Sequence, residues 1–255
     1  MDRSATWPAS GIDMQGVNVA ASSGPVGCIP MVGRRTEVAA LASMLRSGKS
    51  CLVAGPSGMG KTRLVEEALA LSGQLALVLQ RAPVLHQLLA MLASGLGCPA
   101  DIRRATSMRL KALVLEALRL SPRCIVLEDV ADADPRMYRL LQQIYYLPGV
   151  SLIVTGKSRA DIGFLRKLLW DPREEIVLRS LARPESLALF EAARTMFALQ
   201  ALDLAEFRHK VLAAANGNPG QILTMCRMAG SPAYQAGGRI KFLPLRIDAL
   251  TAFVR

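Results

Sequence analysis

Eight consecutive residues, Gly55-Pro56-Ser57-Gly58-Met59-Gly60-Lys61-Thr62, match the pattern GxxxxGK[ST]. The pattern fits one chemistry, the cradling of phosphates. Gly55, Gly58 and Gly60 let the backbone curl so that its N–H groups face an anion, with Pro56, Ser57 and Met59 filling the variable positions. Lys61 adds a point charge to the β- and γ-phosphates, and the Thr62 hydroxyl is suited to ligate Mg²⁺. The helix behind the loop contributes its positive dipole end.

Some 65 residues after Lys61, the run Cys124-Ile125-Val126-Leu127-Glu128-Asp129 reads as a buried strand ending in two carboxylates. Behind a phosphate loop, the first such acid serves the Mg²⁺ shell and the second the attacking water. This register assigns Glu128 to magnesium and Asp129 to polarising the nucleophile. The usual order is Asp then Glu. Asp129 is one methylene shorter than a glutamate, which predicts a poorly aligned water and slow hydrolysis. A second register puts Asp129 on the metal and Val130 in the base position, which removes the base.

Those groups need a scaffold, and hydrophobic periodicity supplies one. Arg34 to Ser47 reads as an amphipathic helix with Val38, Leu41, Met44 and Leu45 on one face. Strands are expected at Cys51–Ala54, Leu75–Leu79, Cys124–Leu127, Ser151–Thr155 and Glu175–Leu178. Helices are expected at Lys61–Leu71, Val84–Leu96, Met108–Leu120 and Arg136–Tyr146. Continuous apolar strands alternating with helices specify an α/β core, a three-layer arrangement whose parallel sheet is covered on both faces. From Pro184 to Gly230 only helical patterns remain. The expected organisation is a flexible leader (1–30), rich in Ala, Ser, Gly and Pro, a core (31–182), a small helical unit (183–230) and a tail (231–255).

With 255 residues, 51% of them hydrophobic and 20% charged, wholesale disorder is excluded. The mean hydropathy of +0.29 raises the question of a membrane. Even the most apolar stretch, Pro83 to Cys98, carries His86, Gln87 and Ser94, and no run of eighteen apolar residues exists, so no transmembrane helix is expected. The first thirty residues lack a basic start and an apolar run, so no secretory signal is expected. Five cysteines (Cys28, Cys51, Cys98, Cys124, Cys226) without a CxxC pair read as reduced residues of a cytoplasmic protein. His86 and His209 are isolated, which argues against a zinc site.

The net charge is +11, from 31 basic and 20 acidic residues. Residues 31–182 carry 21 basic against 13 acidic, and residues 231–255 carry 4 against 1. Such an excess favours a polyanionic partner through counterion release. Arg103, Arg104, Arg109, Lys111, Arg119 and Arg123 are opposed locally only by Asp101 and Glu116. They could follow the phosphate backbone of duplex DNA or form a solvated surface, and the lack of interleaved aromatics argues against base stacking.

Taken together, these residues resemble the AAA+ and STAND branches of phosphate-loop ATPases. Val32-Gly33-Arg34-Arg35-Thr36-Glu37 is similar to their hhGRxxE box, which places Gly33 and Arg34 beside the adenine of ATP. Thr155 falls where such proteins carry a polar sensor of the γ-phosphate. The helical unit resembles their lid, with Gly217-Asn218-Pro219 matching a GxP motif that puts Pro219 at the nucleotide. The resemblance covers roughly residues 31 to 230 and implies the strand order 5-1-4-3-2, with ATP and Mg²⁺ between core and lid.

The resemblance also implies a homo-oligomer in which an arginine reaches a neighbouring active site. Arg166 and Arg173 are the candidates, against the alternative of a solvated helix face. Where origin-recognition and transposition ATPases often place an arginine after the GxP-like turn, this sequence has Gly220 and Gln221, a feature shared with STAND switches. Only 25 residues follow the lid, too few for a winged helix, so any DNA contact is expected from the core. The leader or tail could engage a protein partner. The favoured expectation is an ATP-hydrolysing, DNA-associated regulator of the transposition or replication-helper type. The alternatives are a STAND-like switch with slow hydrolysis and a nucleotide-stabilised scaffold.

Overall fold

The computed structural model describes residues 17–20, 29, 31–80, 84–98, 102, 104–131 and 133–254. Strand β1 (Val17–Ala20) is followed by helix α1 (Arg35–Arg46), β2 (Cys51–Ala54), α2 (Lys61–Ser72), β3 (Ala76–Gln80) and α3 (Leu85–Gly95). Then come α4 (Ser107–Leu120), β4 (Cys124–Glu128), α5 (Pro135–Tyr145), β5 (Ser151–Gly156) and β6 (Glu175–Val177). Helices α6 (Arg183–Met196), α7 (Leu204–Ala215) and α8 (Pro219–Ala229) form the helical unit. A two-stranded ribbon, β7 (Gln235–Ala236) and β8 (Arg239–Ile240), and helix α9 (Phe242–Val254) end the chain.

The main sheet runs β1-β3-β4-β5-β2-β6. Counting only its five parallel strands, the order is the expected 5-1-4-3-2. Side chains along β2, β3, β4 and β5 alternate between two cores, as the period of two requires. Leu52, Leu77, Ile125 and Leu152 face one cluster with α3, α4 and α5. Cys51, Ala76, Cys124 and Ile153 face the other with α1 and α2. This is the three-layer packing expected of strands apolar on both sides.

Among the described residues, the stretch read as a flexible leader contains one regular element. Strand β1 pairs antiparallel with β3, Val17 opposite Leu79 and Ala20 opposite Ala76. In the parallel sheet β3 has only β4 beside it, so its other edge carries open backbone groups that a proline-free segment can satisfy. The tail packs on the helical unit. Ile240, Leu245 and Ala249 join Phe190, Phe207 and Ile222 in a third cluster.

Cys51, Cys124 and Cys226 are buried free thiols, and Cys98 is a half-buried one; Cys28 lies outside the described residues. Burial pushes the Cys51 and Cys226 thiols up to about 12 and Cys124 to about 11. Among the described residues no helix is long and apolar enough to cross a membrane.

Candidate nucleotide-binding site

The loop between β2 and α2 is anchored at its root. Gly55 N–H donates to the Gly156 carbonyl at 3.1 Å, and a Cβ on Gly55 would lie 3.1 Å from both the Cβ and the carbonyl oxygen of Leu178. Gly58 and Gly60 take φ of 82° and 86°, left-handed values that an L side chain resists. Met59, read from sequence only as a variable position, is 7% exposed and buries its side chain with Leu64 and Val65, pinning the loop to the core. Lys61 Nζ donates to the carbonyls of Gly55 at 2.7 Å and Pro56 at 3.1 Å. Partial burial lowers its pKa; the Asp129 carboxylate opposes that shift and Lys157 adds to it.

At the carboxyl end of β4, Glu128 is buried. Its carboxylate is hydrogen-bonded to the side chains of Thr62 and Gln80. Desolvation pushes its pKa up; the Thr62 and Gln80 bonds pull against that, and Glu66 and Asp129 push further. Thr62 and Glu128, both read from sequence as candidates for the metal, are brought together here. Asp129 is exposed, with φ of 51°, and its N–H donates to Thr155 Oγ1 at 2.9 Å. Val130 N–H donates to the Thr155 carbonyl at 2.9 Å. The buried Thr155 hydroxyl accepts from Asp129, so its own proton can go to another acceptor. Gln80 and Glu66 are site residues the sequence reading missed. For Gln80 the signal was its place as the last residue of β3, in register with Glu128.

The hhGRxxE-like box forms a joint between core and lid. Arg34 is 5% exposed; its Nη1 pairs with Glu37 at 3.1 Å and its Nη2 donates to the carbonyl of Arg179, just before the lid. Gly33 has φ of 69°, and a Cβ there would sit 2.5 Å from the Glu185 carboxyl carbon. That carboxylate is held by Ala182 N–H at 2.7 Å, at the start of α6. Helix α8 starts at Pro219, and its second residue, Gly220, donates its N–H to the Gly58 carbonyl at 2.8 Å. Asn218 Nδ2 donates to the Ser57 carbonyl at 2.9 Å.

These elements surround a cavity of about 790 Å³. One part is polar, with Ser57 to Arg63, Gln80, Glu128, Asp129 and Thr155. The other is apolar, with Ile29, Met31, Val32, Leu181, Phe197 and Leu223, while Arg34, Pro219 and Gly220 also line the wall. A purine base and its phosphates have this polarity and fit this volume. Gly55 lies at the loop's buried root rather than on the wall.

The remaining candidates lie outside the cavity wall. Arg173 is 89% exposed and forks onto neighbouring Asp171, with Nη2–Oδ2 at 2.8 Å and Nε within 3.2 Å of both carboxylate oxygens. Arg166, exposed on a short 3-10 turn (Gly163–Lys167), makes no ion pair among the described residues. Three residues of the basic cluster lie on α4. On α4, Arg109 and Lys111 lie about 160° apart around the helix axis at 3.6 residues per turn. Arg119 falls about 80° from each of them, between them on the side away from the buried Leu110–Val114–Leu118 face. Arg104 precedes the helix, Arg123 follows it, and Arg103 lies outside the described residues.

Residues 30–154 match the family model described as the AAA ATPase domain. No curated protein matches the chain. Among solved structures, the Aeropyrum pernix ORC1 protein in complex with DNA is similar at a TM-score of 0.64 and 18% identity, covering 89% of this chain and 66% of that one. The A. pernix ORC2 protein, solved as ADPNP–ADP complexes, gives 0.56 at 16% identity, covering 89% and 71%. A STAND protein with a tetratricopeptide repeat sensor from Pyrococcus horikoshii gives 0.52 at 18% identity, covering 91% of this chain but only 33% of that one. The chain thus spans about two thirds and one third of the ORC1 and STAND chains, and identities this low speak to the fold alone. The fold, the family match and the phosphate loop agree on a phosphate-loop α/β core, and residues 30–154 are similar to the AAA ATPase domain.

Proposed function

We propose that the chain binds ATP with Mg²⁺ in the cavity between core and lid, and acts as a nucleotide-dependent switch that hydrolyses slowly. One observation carries this reading: the phosphate loop, the Glu128–Thr62 pair and the first turn of α8 meet around a single cavity, with α8 bonded directly to the loop. Lys61 can exchange its two carbonyl acceptors for phosphate oxygens. The N–H groups of the loop and the α2 N-terminus stabilise the phosphate charge. Thr155 can donate its hydroxyl proton to the γ-phosphate, and Asp129 beside Lys61 can take the proton of the attacking water.

A hydroxyl and a buried carboxylate form an all-oxygen donor set that suits Mg²⁺, a hard cation. Among the described residues no three acidic, histidine or cysteine side chains converge on one point. That also fits Mg²⁺ at phosphate loops, where phosphates and waters complete the shell. Thr62 and Glu128 would hold the ion, which when bound neutralises charge on the transferring phosphoryl group. Slow turnover follows from the short Asp129 and from α8 beginning Pro219-Gly220-Gln221, without a cation to stabilise transition-state charge. A cytoplasmic setting suits the buried free thiols.

A second reading, a DNA-associated regulator that oligomerises with ATP, is favoured by the net charge of +11 and by the likeness to ORC1, solved on DNA. ATP turnover with and without duplex DNA over a salt series, with Lys61→Ala as the blank, decides between them. Slow turnover indifferent to DNA supports the switch. Stimulation by DNA that fades with salt supports the regulator, and nucleotide binding without turnover even as an oligomer supports a scaffold.

A further inference from the structure

Asn218 does two jobs at once. As the N-cap of α8, its Oδ1 accepts the Gln221 N–H at 3.1 Å, satisfying an orphan donor of the first turn. Its other amide atom, Nδ2, donates to the Ser57 carbonyl at 2.9 Å, joining residues 161 positions apart. Capping needs only an acceptor, which serine, aspartate and asparagine all supply. The bond to Ser57 needs a donor at that reach, which only asparagine of the three provides. Asn218 is 9% exposed, so both bonds are shielded from competing water.

The neighbouring contact reinforces the same joint. Pro219 has no N–H, so the next orphan donor of α8 is Gly220, and it bonds to the Gly58 carbonyl at 2.8 Å. Two successive carbonyls of the phosphate loop are therefore taken up by the lid. In a trans peptide the N–H points opposite to the C=O, so fixing the Ser57 carbonyl turns the Gly58 N–H away from the lid, and fixing the Gly58 carbonyl does the same for Met59. Gly58 has φ of 82° and can rotate freely unless something holds its peptide units.

We propose that Asn218 is a positioning residue, a latch that holds the lid to the phosphate loop and thereby sets how fast bound nucleotide leaves. This rests on the nucleotide-site reading above. The latch preorders the loop's peptide units, and releasing it frees lid and phosphates together. The residue touches neither reacting atom; it acts through Ser57 and Gly58.

Asn218→Asp keeps the capping acceptor and replaces the donor by a second acceptor facing the Ser57 carbonyl. Asn218→Ser keeps the cap without charge and without the reach. Two readouts on the full chain test the latch: dissociation of a fluorescent ADP analogue by stopped flow, and residue-resolved amide exchange. In both variants the analogue is expected to leave roughly tenfold faster, the cost of one hydrogen bond. Gly220 N–H is expected to lose protection while the capped Gln221 N–H keeps it. Equal loss at Gly220 and Gln221, or unchanged exchange and dissociation, would mean that Asn218 only caps the helix and would overturn the proposal. If the wild-type chain bound no nucleotide, the nucleotide-site reading would fall, while the exchange difference between Gly220 and Gln221 would still test the latch itself.

Discussion

Replacing Gly217 with alanine measures how tightly the lid is fitted to the segment that leads into it. Gly217 follows α7 with φ of 76°, and an added Cβ would lie 2.5 Å from the Leu181 carbonyl oxygen, 2.9 Å from Ser180 Cβ and 3.0 Å from Leu181 N. The Gly217 carbonyl also accepts the Leu181 N–H at 2.8 Å, so the two backbones cannot separate without losing that bond. Gly48 is the control: its φ of 65° is nearly the same, yet nothing lies within 4 Å of its added Cβ.

Holding an alanine in the left-handed region costs about 1–2 kcal/mol, part of which is offset by the stiffer unfolded chain, leaving about 1 kcal/mol for Gly48→Ala. Gly217→Ala carries that cost plus about 2–3 kcal/mol for the steric overlap and the strained hydrogen bond. For a chain of this size, the melting temperature should fall by about 3 °C for Gly48→Ala and about 10 °C for Gly217→Ala. Scanning calorimetry of the two variants side by side makes the comparison. Equal losses would refute the argument, since the shared left-handed conformation would then account for everything and the close approach for nothing.

Other outcomes follow from the same geometry. The pKa of Glu128 is raised by burial, so the group favours folding fully below the ordinary glutamate value of about 4.3, where it is a neutral acid, and that contribution is lost as pH rises through its raised folded value. Glu128→Gln should therefore match the wild type in stability near pH 4 and exceed it at pH 7 without Mg²⁺; parallel pH profiles in urea titrations would show that the carboxylate is solvated. If turnover requires an oligomer, Arg166→Ala should lower it about a thousandfold, while Arg173→Ala, whose guanidinium is forked onto Asp171, should leave it within about threefold. Mixing either variant with an excess of Lys61→Ala subunits separates an effect across an interface from one within the chain.

The sheet was legible because its strands are short apolar runs punctuated by glycine and polar turns. Cys51–Ala54 is observed at the expected bounds, and β3 and β5 shift or extend by one residue. The phosphate loop was legible because its chemistry is local, eight residues between a strand and a helix. What sequence could not reveal is long-range and mostly backbone in character. Arg34 reaches the carbonyl of Arg179, 145 positions on, and Asn218 reaches that of Ser57. A carbonyl leaves no mark in residue types. Gln80 was hidden for a related reason, since only the register of β3 against β4 places it beside Glu128. The basic residues from Arg104 to Arg123 were adjacent in sequence, but Arg104 precedes α4 and Arg123 follows it, while Arg109, Lys111 and Arg119 spread over an arc of about 160° on it.

Isothermal calorimetry of ATP binding, with and without Mg²⁺, tests the central claim most directly, comparing the wild-type chain with Lys61→Ala and Glu128→Gln. The account predicts saturable binding of one ATP that Mg²⁺ strengthens, weakened about a hundredfold by Lys61→Ala through loss of its charged phosphate contacts. In Glu128→Gln the response to Mg²⁺ should be lost. Binding indifferent to Lys61, or no binding at all by a folded wild-type chain, would contradict it.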